Sequence, residues 1–127
     1  MSGPRLKVEY QNQTKITVEQ NAIIDHLSTT LRALKQVGTV EFELIIVGDE
    51  TIKQLNKQHR GENKPTDVLS FEASDDTRHA TPSFIGSVVI SADQALNQAK
   101  QAKIPLVSEL KLLSTHGLLH LLGYNHR

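Results

Sequence analysis

The chain closes on "HGLLHLLGYNHR", residues 116–127, which holds three of the six histidines of the whole sequence. His116 and His120 stand four apart. On a helix that spacing sets two imidazoles one turn apart on one face. Gly123 ends such a helix, and Tyr124 and Asn125 carry the chain back so that His126 returns to the same point. The spacing is His, plus four, plus ten, with glycine at plus seven. It suits three imidazoles around one divalent ion with the fourth position open. Zinc is the first expectation for three nitrogen ligands without a thiolate, and nickel, cobalt or iron would also suit imidazole. Three neutral ligands leave the ion's charge uncompensated, which favours an anionic or strongly polarised group in the open position.

The metzincin peptidases share this spacing, but they carry glutamate after the first histidine. Here that residue is Gly117, so the metal site is present without the peptidase's proton acceptor. A pair of histidines four apart arises by chance fairly often. A third at plus ten, after a helix-ending glycine, is harder to dismiss as coincidence.

These residues need a scaffold, and the hydrophobic pattern supplies one. "RLKVEY" (5–10) alternates as a strand does. From about Thr17 to Gln36, Ile23, Ile24, Leu27, Leu31 and Leu34 recur at helical spacing, with Gly38 as a stop. "VEFELIIVG" (40–48) is a β-branched strand, and Asp49 is placed to cap a helix over "DETIKQLNKQHR". "GENKPT" is a loop, "DVLSFE" (67–72) a strand and "ASDDTRHATPS" a polar loop. "FIGSVVIS" (84–91) is a strand, Ser91 caps a helix over "ADQALNQAKQA", and Pro105 opens a final apolar helix over 106–122. The order β-α-β-α-β-β-α-α predicts one α/β (α+β) domain over residues 1–127, a mixed sheet of about four strands packed by helices, with the metal site on the C-terminal helix. Leucine nearly all round that helix predicts burial, and so histidines in or near the core.

Composition sets bounds. A length of 127 residues is one domain's worth and can bury a core. Fourteen basic and fourteen acidic residues give zero formal charge, so nucleic acid would be met through a local patch rather than a general basic surface. Two tyrosines, three phenylalanines and no tryptophan argue against a base-stacking platform. No cysteine excludes a disulfide framework and fits a reducing, cytoplasmic setting. No apolar run reaches the length of a membrane span, and "MSGPRLKVEY" has no signal-peptide core.

"HGLLHLLGYNH" resembles the H-G-x-L-H-L-x-G-Y-D-H signature of the YbeY family of bacterial endoribonucleases. "LNKQHRGENKPTDVLSF" (55–71) is similar to the family's L-N-x-x-x-R…P-T-D-V-L-S-F, and "IGSVVIS" (85–91) to its G-D-I-x-I-S. The resemblance implies His116, His120 and His126 as ligands of one zinc ion, with His116 and His120 in the catalytic centre. It implies Arg60 as the basic residue that faces the metal and contacts substrate. It further implies single-strand-specific cleavage of RNA, a role in 16S ribosomal RNA maturation and ribosome quality control, and the ribosome or small-subunit proteins as partners. Taken alone, Arg60 reads as a solvated helix-end charge favourable to the helix dipole. Lys53, Lys57 and Lys64 read as solvated too, and His26, His59 and His79 as surface residues. Asp67 and Ser70 satisfy backbone groups, or Thr66 and Ser70 line a cleft. Asp67, Glu109 and a water network are alternative general bases.

Two carboxylates of the family pattern are replaced, at Ser87 and Asn125. Each is expected to remove negative charge near the site, where a carboxylate orients a ligating imidazole. The chain also stops one residue after His126, where the family continues. These departures keep open a non-catalytic ribosome-assembly or metal-binding factor as the alternative to a nuclease. A zinc peptidase is a third, weakened by Gly117.

Overall fold

The computed structural model describes residues 3–73 and 82–124. Within them the element order is the expected one: β1 (Arg5–Asn12), α1 (Gln20–Ala33), β2 (Thr39–Val47), α2 (Asp49–Arg60), β3 (Val68–Glu72), β4 (Phe84–Ser91), α3 (Ala92–Ala102) and α4 (Leu106–Leu121). The sheet order is β1-β2-β4-β3. β1, β2 and β4 run parallel, and β3 is an antiparallel strand at the edge.

Alternation along the strands divides the core in two. Val40, Phe42, Leu44, Ile46, Val88 and Ile90 pack with Ile23, Leu27 and Leu31 of α1, Ala92 and Ala95 of α3, and Leu110, Leu113 and Leu118 of α4. Val47, Leu69 and Val89 point the other way and pack with Ile52 of α2. So α1, α3 and α4 cover one face of the sheet and α2 the other. His126, Asn125 and His79 lie outside the described residues.

Several boundaries differ from the sequence expectation. α1 starts at Gln20, not Thr17, because Ile16 and Val18 reach the core on an extended approach. That approach is set by Asn12, whose Oδ1 accepts from Thr14 N–H at 2.9 Å while its Nδ2 donates to the Ile16 carbonyl at 2.8 Å. The same helix stops before Gly38, with Lys35 at φ 58°. Asp49 is the first residue of α2 rather than its cap. Its carboxylate accepts from Ser91 Oγ at 2.7 Å and from Gln94 Nε2, while its own N–H donates to Asp93 Oδ2 at 2.8 Å. The orphan donor of one helix start is thus met by a side chain from the next. Ser91 caps α3 as expected, accepting from Gln94 N–H.

α4 ends as Gly123 predicts. Gly123 takes φ +92°, its N–H donates to the His120 carbonyl, and Tyr124 N–H donates to Leu119 at 2.9 Å. This is the Schellman closure. The Tyr124 hydroxyl then accepts from Gln36 Nε2 at 3.2 Å, tying the chain after the helix to the turn after α1.

Tyr10 carries a buried hydroxyl with no partner among the described residues, and burial raises its pKa above the usual value. A desolvated hydroxyl without a partner costs stability, so Tyr10→Phe is expected to leave the melting temperature unchanged or raise it, by an amount equivalent to about 1 kcal/mol or less. Thermal denaturation checks this.

Candidate active site

The expectation that α4 is buried all round does not hold. Its inward side is Leu110, Leu113, Ser114, Gly117 and Leu118 with Glu109. The line Leu112–His116–His120 faces outward, with Leu112 62% exposed. α4 packs against β3, β4, α1 and α3, and Leu112, His116 and His120 stand on its exposed side. His116 and His120 are therefore exposed rather than core residues.

They open on a cleft of about 240 Å³ lined by His59, Arg60, Val68, Leu69, Ser70, His116 and His120. α2 and α4 lie on opposite faces of the sheet, so the cleft wraps the free edge of β3. One wall is the last turn of α2, the floor is the edge strand, and the far wall is the histidine pair. Arg60 and the histidines, far apart in sequence, share this space.

Gly117 explains how α4 comes so close. A Cβ built there would lie 2.5 and 2.9 Å from the two γ-methyls of Val88 and 3.3 Å from Ser70 Oγ. Ser70 Oγ instead donates to the Gly117 carbonyl at 3.2 Å. The residue at the peptidase's glutamate position is thus the contact between helix and sheet, with no room for a side chain.

Arg60 pairs with Glu62 at 3.3 Å, and Lys64 pairs with the other oxygen of the same carboxylate at 3.3 Å. Both cations are largely exposed, so these pairs are weak and exchangeable. Asn56, fully buried, donates from Nδ2 to the Lys64 carbonyl at 2.9 Å and so fastens the loop after Arg60 to α2.

Of the sequence candidates, the structure brings Arg60, Ser70, His116 and His120 together. Thr66, Asp67 and Glu109 do not line the cleft. Asp67 turns toward α3, where Oδ2 accepts from Gln98 at 3.3 Å. Ser87 does not stand beside the imidazoles as its motif suggests: alternation along β4 puts it on the sheet face opposite α4, where it donates to Glu43 Oε1 at 2.8 Å. His59, read from sequence as a plain surface residue, lines the cleft with its ring centroid 4.5 Å from that of Phe71. Its position beside Arg60 at the end of α2 was the only hint.

Among the described residues no three histidine, cysteine, aspartate or glutamate side chains form a metal-holding group. Two exposed imidazoles on one face of α4, aimed into the same cleft, are nevertheless the right donors for a divalent ion.

A family model described as Endoribonuclease YbeY matches residues 7–127. The chain belongs to the YbeY family. Endoribonuclease YbeY of Syntrophus aciditrophicus is 38% identical over 115 residues, covering 90% of this chain and 71% of that protein. Endoribonuclease YbeY of Persephonella marina is 39% identical over 104 residues, covering 82% and 63%. The chain thus spans roughly two thirds of the length of these YbeY relatives. The solution structure of TM1509 from Thermotoga maritima superposes with a TM-score of 0.59 at 27% identity, covering 94% of this chain and 75% of that one. Among the described residues no helix is long and apolar enough to cross a membrane.

Proposed function

We propose that this chain is a metal-dependent endoribonuclease that hydrolyses phosphodiester bonds of single-stranded RNA, acting in 16S ribosomal RNA maturation and ribosome quality control. On this reading it works in the cytoplasm with the ribosome or its small-subunit proteins. The reading rests on one placement: Arg60 faces the His116–His120 pair across a cleft that follows a strand edge.

Cleaving a phosphodiester requires charge neutralisation at phosphorus and an activated water. His116 and His120, with His126 as the third ligand, would hold one divalent ion, zinc first. When bound, such an ion supplies Lewis acidity and lowers the pKa of water. Arg60 offers a planar, always charged fork that takes two phosphate oxygens at once. To do so it exchanges the Glu62 carboxylate for phosphate, with little loss because the pair is exposed. Ser70, through the Gly117 carbonyl, holds α4 against the sheet and so fixes the distance between the two walls.

Arg60→Ala is expected to lower kcat/KM for a single-stranded RNA by about 10–100-fold, the value of one or two hydrogen bonds to a charged group. Arg60→Lys should recover only part of this, because a point charge replaces a fork. Steady-state cleavage of a labelled oligonucleotide measures both. Full activity in Arg60→Ala would remove Arg60 from the site.

The reading itself is tested by incubating labelled single-stranded RNA with wild type and His120→Ala, purified in parallel with metal content recorded. Cutting by the wild type alone supports it. Equal cutting by both indicates a contaminating nuclease. No cutting by either, with ribosome association retained by both, would favour the non-catalytic assembly factor. Peptidase activity has no support in the structure, since a glutamate cannot occupy position 117 without displacing Val88.

A further inference from the structure

The floor of the cleft is backbone, and its polarity can be worked out. Ser91 N–H donates to the Asp67 carbonyl at 2.9 Å, and β3 pairs antiparallel with β4 in the register Leu69↔Val89, Phe71↔Ser87. In an antiparallel ladder alternate residues turn both N–H and C=O to the partner strand. Asp67, Leu69 and Phe71 therefore face β4. Val68, Ser70 and Glu72 present their N–H and C=O groups to the open edge, and Val68 and Ser70 do so inside the cleft. An edge of this kind is a row of unmet donors and acceptors.

We propose that this edge of β3 binds the sugar-phosphate backbone of single-stranded RNA, with Ser70 N–H donating to a phosphate oxygen and the outward carbonyls of Val68 and Ser70 accepting from ribose 2′-hydroxyls. This deepens the nuclease reading above and rests on it. Three features favour an RNA strand over an extended peptide. The edge is flanked by Arg60, with Lys64 on the same loop, and their shared counter-ion Glu62 is held only at the surface. A phosphate is an acceptor only, which suits the donors on this wall. The outward carbonyls need a donor from the ligand, and the 2′-hydroxyl is the group that RNA has and DNA lacks.

The test uses the full wild-type chain, metal-loaded and ¹⁵N-labelled, titrated with a short oligouridylate whose phosphorothioate linkages resist hydrolysis. The Val68 and Ser70 amides are expected to shift and to exchange with solvent at least about fivefold more slowly, while the Leu69 amide, bonded to β4, stays as it was. The matching oligodeoxynucleotide should bind about tenfold more weakly, the worth of lost 2′-hydroxyl bonds. Ser70→Pro removes only the outward N–H and the hydroxyl, and an edge strand tolerates it. Its KM for RNA should lie about tenfold above that of Ser70→Ala, which keeps the N–H but lacks the same hydroxyl bond to the Gly117 carbonyl, so any loss of kcat that the two variants share belongs to that bond. Oligonucleotide binding that perturbs Arg60 and His120 but leaves the Val68 and Ser70 amides unprotected would overturn the inference and leave the nuclease reading standing. Binding nowhere, together with no cleavage, would defeat both. Stronger protection of the same amides by an uncharged extended peptide would overturn the choice of RNA.

Discussion

Replacing His120 by alanine is expected to abolish metal retention and reduce RNA cleavage by roughly 10²–10⁴-fold, the rate equivalent of the several kcal/mol that an ion contributes to a charged transition state. The fold should survive. His120 lies on the exposed line of α4, makes no hydrogen bond through its ring among the described residues, and is not part of the core. A substitution of that kind changes the stability of the metal-free protein by about 0.5 kcal/mol or less. The two readouts must therefore separate: elemental analysis and activity fall together while metal-free melting curves coincide. Chelation adds a second signature. A bound ion stabilises the folded state by mass action, so removing it should lower the wild-type melting temperature and leave His120→Ala unmoved. If the variant keeps stoichiometric metal, the histidine pair is not the ligand set, and the functional reading falls with it.

The fold was largely legible in the sequence because its elements announce themselves locally. β2 and β4 are β-branched runs, Ser91 precedes a helix it caps, and Gly123 sits where only a left-handed residue closes α4. The sequence also gathered the histidines and Arg60, the first by spacing and the second only through the family motif. What it could not convey was arrangement across the sheet. Alternation tells which residues share a face of one strand, but not which helix covers that face. So the motif predicts a lost carboxylate near the metal site at Ser87, whereas β4 turns this residue toward Glu43. Leucines on three sides of α4 suggest burial of the fourth, yet β3 is the edge strand and, among the described residues, Leu112, His116 and His120 are exposed. His59 joined the cleft because α2 ends above the edge strand, a fact about strand order that no local pattern encodes. Gly117, noted only as a missing glutamate, proved to be a packing position.

That position yields the second large effect. Gly117→Ala places a methyl 2.5 Å from one Val88 γ-carbon and 2.9 Å from the other, closer than such atoms ever approach. Val88 cannot retreat, since it is fully buried among Phe42, Leu44 and Ile90. α4 must therefore lift from the sheet. Overpacking of this kind costs about 1–3 kcal/mol. Alanine's better helix propensity returns up to about 1 kcal/mol of it. The net loss of stability is expected to be modest, near 1–2 kcal/mol by denaturant titration. Activity should fall further, by about 100-fold, because His116 and His120 lie on either side of the displaced residue and a shift near 1 Å spoils their alignment with Arg60. Val88→Ala provides the check. Alone it leaves a cavity and destabilises. Combined with Gly117→Ala it makes room for the new methyl, so the double variant should be more stable than the sum of the single losses and should recover much of the cleavage rate. Simple additivity would show that glycine is kept at 117 for some reason other than contact with Val88. Recovery of activity in the double variant would show that the distance between the helix and the strand edge sets the catalytic geometry.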